Sequence, residues 1–212
     1  MESQERDALE QEIQRHCATG AFEAAVVAAL RGYGAEILSF LAALHKDEAD
    51  ASDVFSIFWE ELWRALPAFA WQSSFRTWAY ALCRHRSHSY RRDARRRAAR
   101  GALMPDSAHL SAIEQRVRTE TLLCLRTQVK SRITELREAL PLQDQEILIL
   151  RVDRQLAWTE LAHVMHEGDS EPLAGEALKR EAARLRKQFQ GIKGKLREMA
   201  RREGLVDQDQ AR

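Results

Sequence analysis

Between Leu178 and Met199 apolar side chains return every four or three residues: Leu178, Ala182, Leu185, Phe189, Ile192, Leu196 and Met199. That is the period of an α-helix with one buried face, and it excludes a strand, in which successive side chains alternate. The signature recurs upstream. Phe22, Val26 and Leu30 are spaced by four, and Ile37, Leu41 and Leu44 continue after a break at Gly32 and Gly34. Phe55, Trp59, Leu62 and Leu66 run to a stop at Pro67, and Phe75, Trp78 and Leu82 mark a helix that continues into an arginine block. Leu125, Val129, Ile133, Leu136 and Leu140 form a stripe ended by Pro141, followed by shorter helices over Gln143–Arg151 and Trp158–His166. Four Pro and nine Gly in 212 residues leave little to interrupt such helices. The expected fold class is all-α. The pattern lapses after Arg100, where GALMPDSAHLSA carries Gly101 and Pro105 and reads as a linker between two helical domains, roughly 1–100 and 125–205.

A net charge of +1 conceals an alternation. Residues 1–64 hold thirteen acids and five bases, and residues 84–100 hold eight Arg and one Asp. Residues 133–176 hold ten acids and three bases, and residues 179–202 hold ten bases and two acids. Each domain therefore ends in a basic helix, which points to two separate contacts with a polyanion. Ile37–Leu44, broken by Ser39, is too short to span a bilayer. The start MESQERDALEQE lacks the basic and apolar regions of a signal peptide, so a cytoplasmic protein with no membrane insertion is expected.

Cys17, Cys83 and Cys124 are dispersed and read as ordinary buried thiols. His163 with His166, and His85 with His88, are spaced i, i+3, but neither pair has an obvious third ligand. The glycines form no phosphate loop, and no nucleophile–base arrangement is visible. The expectation is a non-enzyme without catalytic residues, metal or cofactor.

The helix from Ser74 places Arg76, Tyr80, Arg84 and His88 on one stripe and Phe75, Trp78 and Leu82 on the opposite one, with Arg91 and Arg92 near its end. Read outward, the first stripe offers cations and a ring, as single-stranded nucleic acid requires, with Trp71 close by. The alternative is a solvated basic helix over core tryptophans. In the second domain, Trp158–His166, a polar connection and a basic helix from about Ala177 resemble a helix-turn-helix whose second helix enters a major groove. The heptad spacing of Leu178, Leu185, Ile192 and Met199 leaves a coiled-coil dimer open as another reading. Gly191 and Gly194 count against a long free-standing coil.

With these residues in view, the chain resembles a bacterial RNA polymerase sigma factor of the extracytoplasmic-function (ECF) class. DASDVFSIFWEELWRAL and SSFRTWAYALCRHRSHSYRR are similar to the family's region 2, with FRTW its most specific element. LREALPLQDQEILILRV, QLAWTELAHVM and ALKREAARLRK are similar to region 4. The resemblance implies a promoter-specificity factor that binds core RNA polymerase, recognises −10 and −35 elements of promoter DNA and promotes opening. An anti-sigma or other regulatory protein is a further partner of that kind. It divides the chain into an N-terminal helical extension at 1–35, a region 2-like domain at 36–100, a linker at 101–124, a region 4-like helix-turn-helix domain at 125–205 and a tail at 206–212.

Position by position, the resemblance puts Asp50, Asp53 and Trp59 on the core-polymerase-binding helix. Ala70, Trp71, Gln72, Ser73 and Ser74 fall on the loop that receives a flipped base. Arg76, Trp78, Tyr80, Arg84 and His85 fall on the −10 helix, with Arg91 and Arg92 after it. Ala177, Lys179, Arg180 and Arg184 open the −35 helix. The chain departs from the family pattern at Ser56 and Ile57, where a Gln-Glu or Gln-Asp pair is usual, and at His85, where Asn is common. Trp71 and Gln72 replace a frequent Gly and acid, and the turn HEGDSEPLAGE, residues 166–176, is longer than the family's LGIS-type turn. Two other readings remain: a stand-alone helix-turn-helix regulator, and a helical adaptor that uses its acidic N-terminal half.

Overall fold

The computed structural model describes residues 3–97, 111–127, 132–166 and 173–205. Every regular element among them is helical. The chain divides into two compact units, Met1–Thr127 and Gln128–Arg212.

The first unit holds α1 (Ser3–Ala18), α2 (Phe22–His45), α3 (Glu48–Ala65), α4 (Phe75–Arg97) and α5 (Ser111–Thr127). Helix α2 is the centre, packed by each of the other four. Its Ala25, Val26, Ala29, Leu30, Ile37, Leu38, Phe40 and Leu41 are at most 1 % exposed, as befits a helix covered on several sides. By length and composition alone α2 is apolar enough to cross a membrane, yet most of it is buried in this core. Lys46, in the left-handed conformation, closes α2. Asp47 then opens α3 by accepting from the amides of Ala49 and Asp50, both at 2.9 Å. Pro67 lies in a 3₁₀ turn that ends α3, as its missing amide dictates.

Two features differ from the sequence reading here. Gly32 and Gly34 do not break the helix; α2 runs through them and across the expected 35/36 boundary. A Cβ at Gly32 would stand 2.1 Å from Leu9 Cδ2, so the missing side chain makes room for α1. The expected linker over 101–124 also differs. Ser111–Thr127 is a helix packed on α2 and α3, Val117 lies over Gly34, and the Ser56 hydroxyl donates to Glu114. Gly101 and Pro105 lie outside the described residues.

The second unit holds α6 (Arg132–Glu138), α7 (Leu142–Leu148), which continues into a π-helical turn at Ile149–Asp153, α8 (Trp158–Met165) and α9 (Gly175–Arg202). Helix α9 packs on α6, α7 and α8. Its Ala182, Leu185 and Ile192 are buried, so the heptad seam is used inside the unit. Of the stripe expected over 125–140, Leu136 and Leu140 are buried, whereas Ile133 is 62 % exposed. Val129 and the Leu125 side chain lie outside what is described. So do residues 167–172 of the long turn, the tail from 206 and the Cys124 side chain; Cys83 is buried and Cys17 half-buried.

Candidate nucleic-acid interface

The loop between the 3₁₀ turn and α4 carries an aromatic cluster. Phe69 stacks on Trp78 with centroids 4.5 Å apart and 19° between planes, and meets Trp71 at 4.8 Å. Trp78 meets Phe75 edge-on at 5.7 Å. Phe75 is fully buried and anchors the cluster to the core, while Trp71 and Trp78 remain half-buried and Gln72 is exposed. Trp71 has φ +56°, a left-handed conformation that Gly adopts at no steric cost. A tryptophan thus occupies a backbone position at which glycine would carry no strain. Half-open rings of this kind have the flat apolar faces on which a planar group such as a base can stack.

Helix α4 starts under tight control. Ser74 accepts from the Thr77 amide at 3.1 Å and donates to the Thr77 hydroxyl at 2.9 Å. The Phe75 and Arg76 amides donate to the Glu10 carboxylate of α1 at 2.7 and 2.9 Å, and the Tyr33 hydroxyl donates to it at 2.9 Å. Burial first, then the Glu10 charge, pushes the Tyr33 pKa upward and keeps the phenol a donor.

The orientation of α4 corrects the sequence reading. Arg76, Tyr80 and Arg84 face the core, at 4 %, 0 % and 5 % exposure. Arg76 Nε and the Tyr80 hydroxyl each donate to one oxygen of Glu36 at 2.7 Å, and the Arg76 guanidinium lies over the Tyr80 ring. An acid on α2 made the inward turn affordable, and amphipathic arithmetic on α4 alone could not register that partner. Trp78 and Leu82, expected in the core, are half-buried instead. His85 and Arg92 are exposed, and Arg91 is half-buried, donating to the Leu44 carbonyl. His45 shares a hydrogen bond with Ser87 at 2.8 Å; burial and then the Arg91 charge lower its pKa to about 4.

On α3, Trp59 is 1 % exposed and belongs to the core, packed edge-on against Phe55 and Phe58; it presents no surface. Asp50 and Asp53 accept from the Tyr90 hydroxyl at 3.0 and 3.1 Å and so tie α3 to α4. Ile57, Glu60, Glu61, Arg64, Ala65 and Arg86 line an open cavity of about 400 Å³, and Arg86 and Glu61 in its lining form an ion pair. Trp63, on the same helix, is 37 % exposed.

In the second unit Ala177 is half-buried, and Lys179, Arg180 and Arg184 are exposed along the first turns of α9. Acids on the same helix hold two of the cations: Lys179 pairs with Glu176 at 2.8 Å, and Arg184 forks onto Glu181 at 2.6 and 2.8 Å. The Arg184 hydrogen bond keeps the Glu181 carboxyl below its usual range. Trp158 carries two guanidiniums, Arg151 at 4.7 Å and Arg186 at 5.5 Å from its ring centre, and meets Phe189 edge-on.

Sequence reasoning missed Glu10, Glu36 and Phe69. Glu36 had a legible signal, an acid in the middle of the largely apolar α2. Glu10 had none, because nothing local links it to residues 65 and 66 positions onward.

Residues 30–97 match the family model for Sigma-70 region 2. The matched span contains α3, the aromatic loop and α4. The match covers less than half of the chain and makes that span similar to region 2 of sigma-70 factors. Members of that family are non-enzymatic transcription initiation factors. No curated protein and no solved structure matches the chain.

Proposed function

We propose that this chain is an ECF-class sigma factor that acts in the cytoplasm, docks on core RNA polymerase through α3, reads the −10 element with the α4 loop and the −35 element with α9, and promotes duplex opening. The observation that carries the reading is the Phe69–Trp71–Trp78 cluster at the start of α4, inside the span similar to Sigma-70 region 2. An extruded base needs a ring to replace its lost stacking and cations along its backbone; the loop supplies the rings, and Arg92, exposed on α4, supplies a cation.

The exposed carboxylate Asp53, the cavity beside Ile57 and the exposed Trp63 support α3 as the polymerase face. Lys179, Arg180 and Arg184 at the start of α9, with Trp158 and its arginines at the start of α8, support a helix-turn-helix on duplex DNA. Arg76, Tyr80 and Arg84 serve by fixing α4 from within; Gln72, His85 and Arg92 are the exposed residues of the −10 set, and Trp71, Ser73, Ser74, Trp78 and Arg91 are half-buried.

The test is reconstitution. The purified chain is mixed with bacterial core polymerase, checked for co-elution and used for in vitro transcription on fragmented genomic DNA. Discrete start sites with aligned upstream elements are expected. Duplex binding without any co-elution would move the reading to a stand-alone regulator.

A further inference from the structure

Helix α1 lies outside the span similar to Sigma-70 region 2, yet it is built into the first unit. Ile13 is fully buried, and Leu9 fills the space over Gly32. From that seat Glu10 reaches the first two amides of α4. These are orphan donors, since the opening turn of a helix has no carbonyl to give them. A carboxylate there is also favoured by the positive end of the helix dipole. Ser74 serves a different amide, that of Thr77, so Glu10 completes the control of the turn.

The residues immediately upstream are the aromatic loop. Trp71 holds a strained left-handed backbone four residues before Phe75, and strain of that kind persists only where the surroundings over-determine it. Two charge-assisted bonds on Phe75 and Arg76 hold the downstream end of the loop, and the Phe69 stack on Trp78 holds the upstream end.

We propose that Glu10 is a positioning residue for base discrimination, holding the Phe69–Ser74 loop in the geometry that receives an unpaired base. The inference rests on the proposed −10 function. Glu10 touches no DNA; it acts through the backbone of Phe75 and Arg76.

The test uses holoenzyme assembled from the full chain and bacterial core polymerase, titrated for active fraction. It is presented with a single-stranded oligodeoxynucleotide library randomised over six positions. Sequencing the bound pool gives, at each position, the ratio of preferred to disfavoured base. Glu10→Gln should lower that ratio about 10-fold at the one or two positions the loop reads, the size expected for losing a charge-assisted hydrogen bond, with core-polymerase affinity unchanged. Tyr33→Phe, which removes only the hydroxyl that steadies Glu10, should lower it about 3-fold at the same positions. Asp7→Asn, the same charge change at an exposed position of α1, serves as the control. If both variants keep wild-type ratios per active molecule, or lose preference evenly at every position, α1 is a structural cap and the proposal is wrong. A wild-type holoenzyme with no base preference removes the −10 reading itself, and the proposal with it.

Discussion

Glu36→Ala removes the carboxylate that takes both Arg76 and Tyr80. The Arg76 side chain is 4 % exposed, and the Glu36 side chain is 19 % exposed. Deleting one partner of a buried ion pair costs about 3–5 kcal/mol, because the remaining charge keeps its desolvation penalty without its counter-charge. The partial exposure of Glu36 and the cation–π contact of Arg76 with Tyr80 put the expectation at the low end, about 3 kcal/mol. For a unit of this size that lowers the melting temperature by about 10 °C. Glu36→Gln keeps an acceptor oxygen for both donors and loses only the charge, so it should cost about half as much. The assay is urea unfolding followed by tryptophan fluorescence, with all five Trp reporting and the four in the first unit dominating the signal. A loss under about 1 kcal/mol for Glu36→Ala, or equal losses for Ala and Gln, would refute the idea that a buried charge on α4 is balanced from α2.

Other outcomes follow from single contacts. Trp71→Gly relieves a left-handed backbone worth about 1–2 kcal/mol and gives up the ring contact with Phe69, so unfolding free energy should change little while single-stranded DNA binding by the holoenzyme weakens. A marked destabilisation would show that the ring holds the loop. The imidazole of His45, followed by NMR, should titrate near pH 4. Its folded pKa lies below the unfolded value of about 6.5, so its contribution to stability is present above that pH and is lost as pH falls toward 4. His45→Gln should flatten the stability curve in that window, and a midpoint near 6.5 would overturn the assignment. Glu181→Gln frees Arg184 from its fork, so duplex DNA binding should tighten a few-fold at low salt, and the log–log salt slope should steepen by about one phosphate contact. An unchanged slope in fluorescence anisotropy would mean that Arg184 faces no phosphate.

What was legible in the sequence was what one helix reveals about itself. Of the seven residues that the four-and-three stripe of α9 named, Ala182, Leu185 and Ile192 are buried, and Leu178, Phe189, Leu196 and Met199 are half-buried. Pro67 and Pro141 marked stops that the helices respect. What was not legible depended on partners far along the chain. Arg76 and Arg84 looked like surface cations because arginine seldom enters a core, and the acid that admits Arg76 is 40 residues away on another helix. Trp59 fell on the expected polymerase helix but on its inner side, where Phe55 and Phe58 meet it. Gly32 and Gly34 read as a break because propensity penalises glycine, whereas their use is to let α1 and α5 approach α2. The loop residues Trp71 to Ser74 were placed by resemblance, and at Trp71 the backbone is left-handed, where glycine would carry no strain.

The docking of α5 has a consequence for the order of events at the ribosome. Helices α1 to α4 emerge first, but the contact of Ser56 with Glu114 spans 58 residues, and Val117 must arrive before the face of α2 at Gly34 is covered. The first unit therefore finishes folding only after its fifth helix has been synthesised, well beyond the end of the matched span at residue 97. A chain stalled or truncated at that point carries an open apolar strip on its central helix, the kind of surface that chaperones and aggregation compete for.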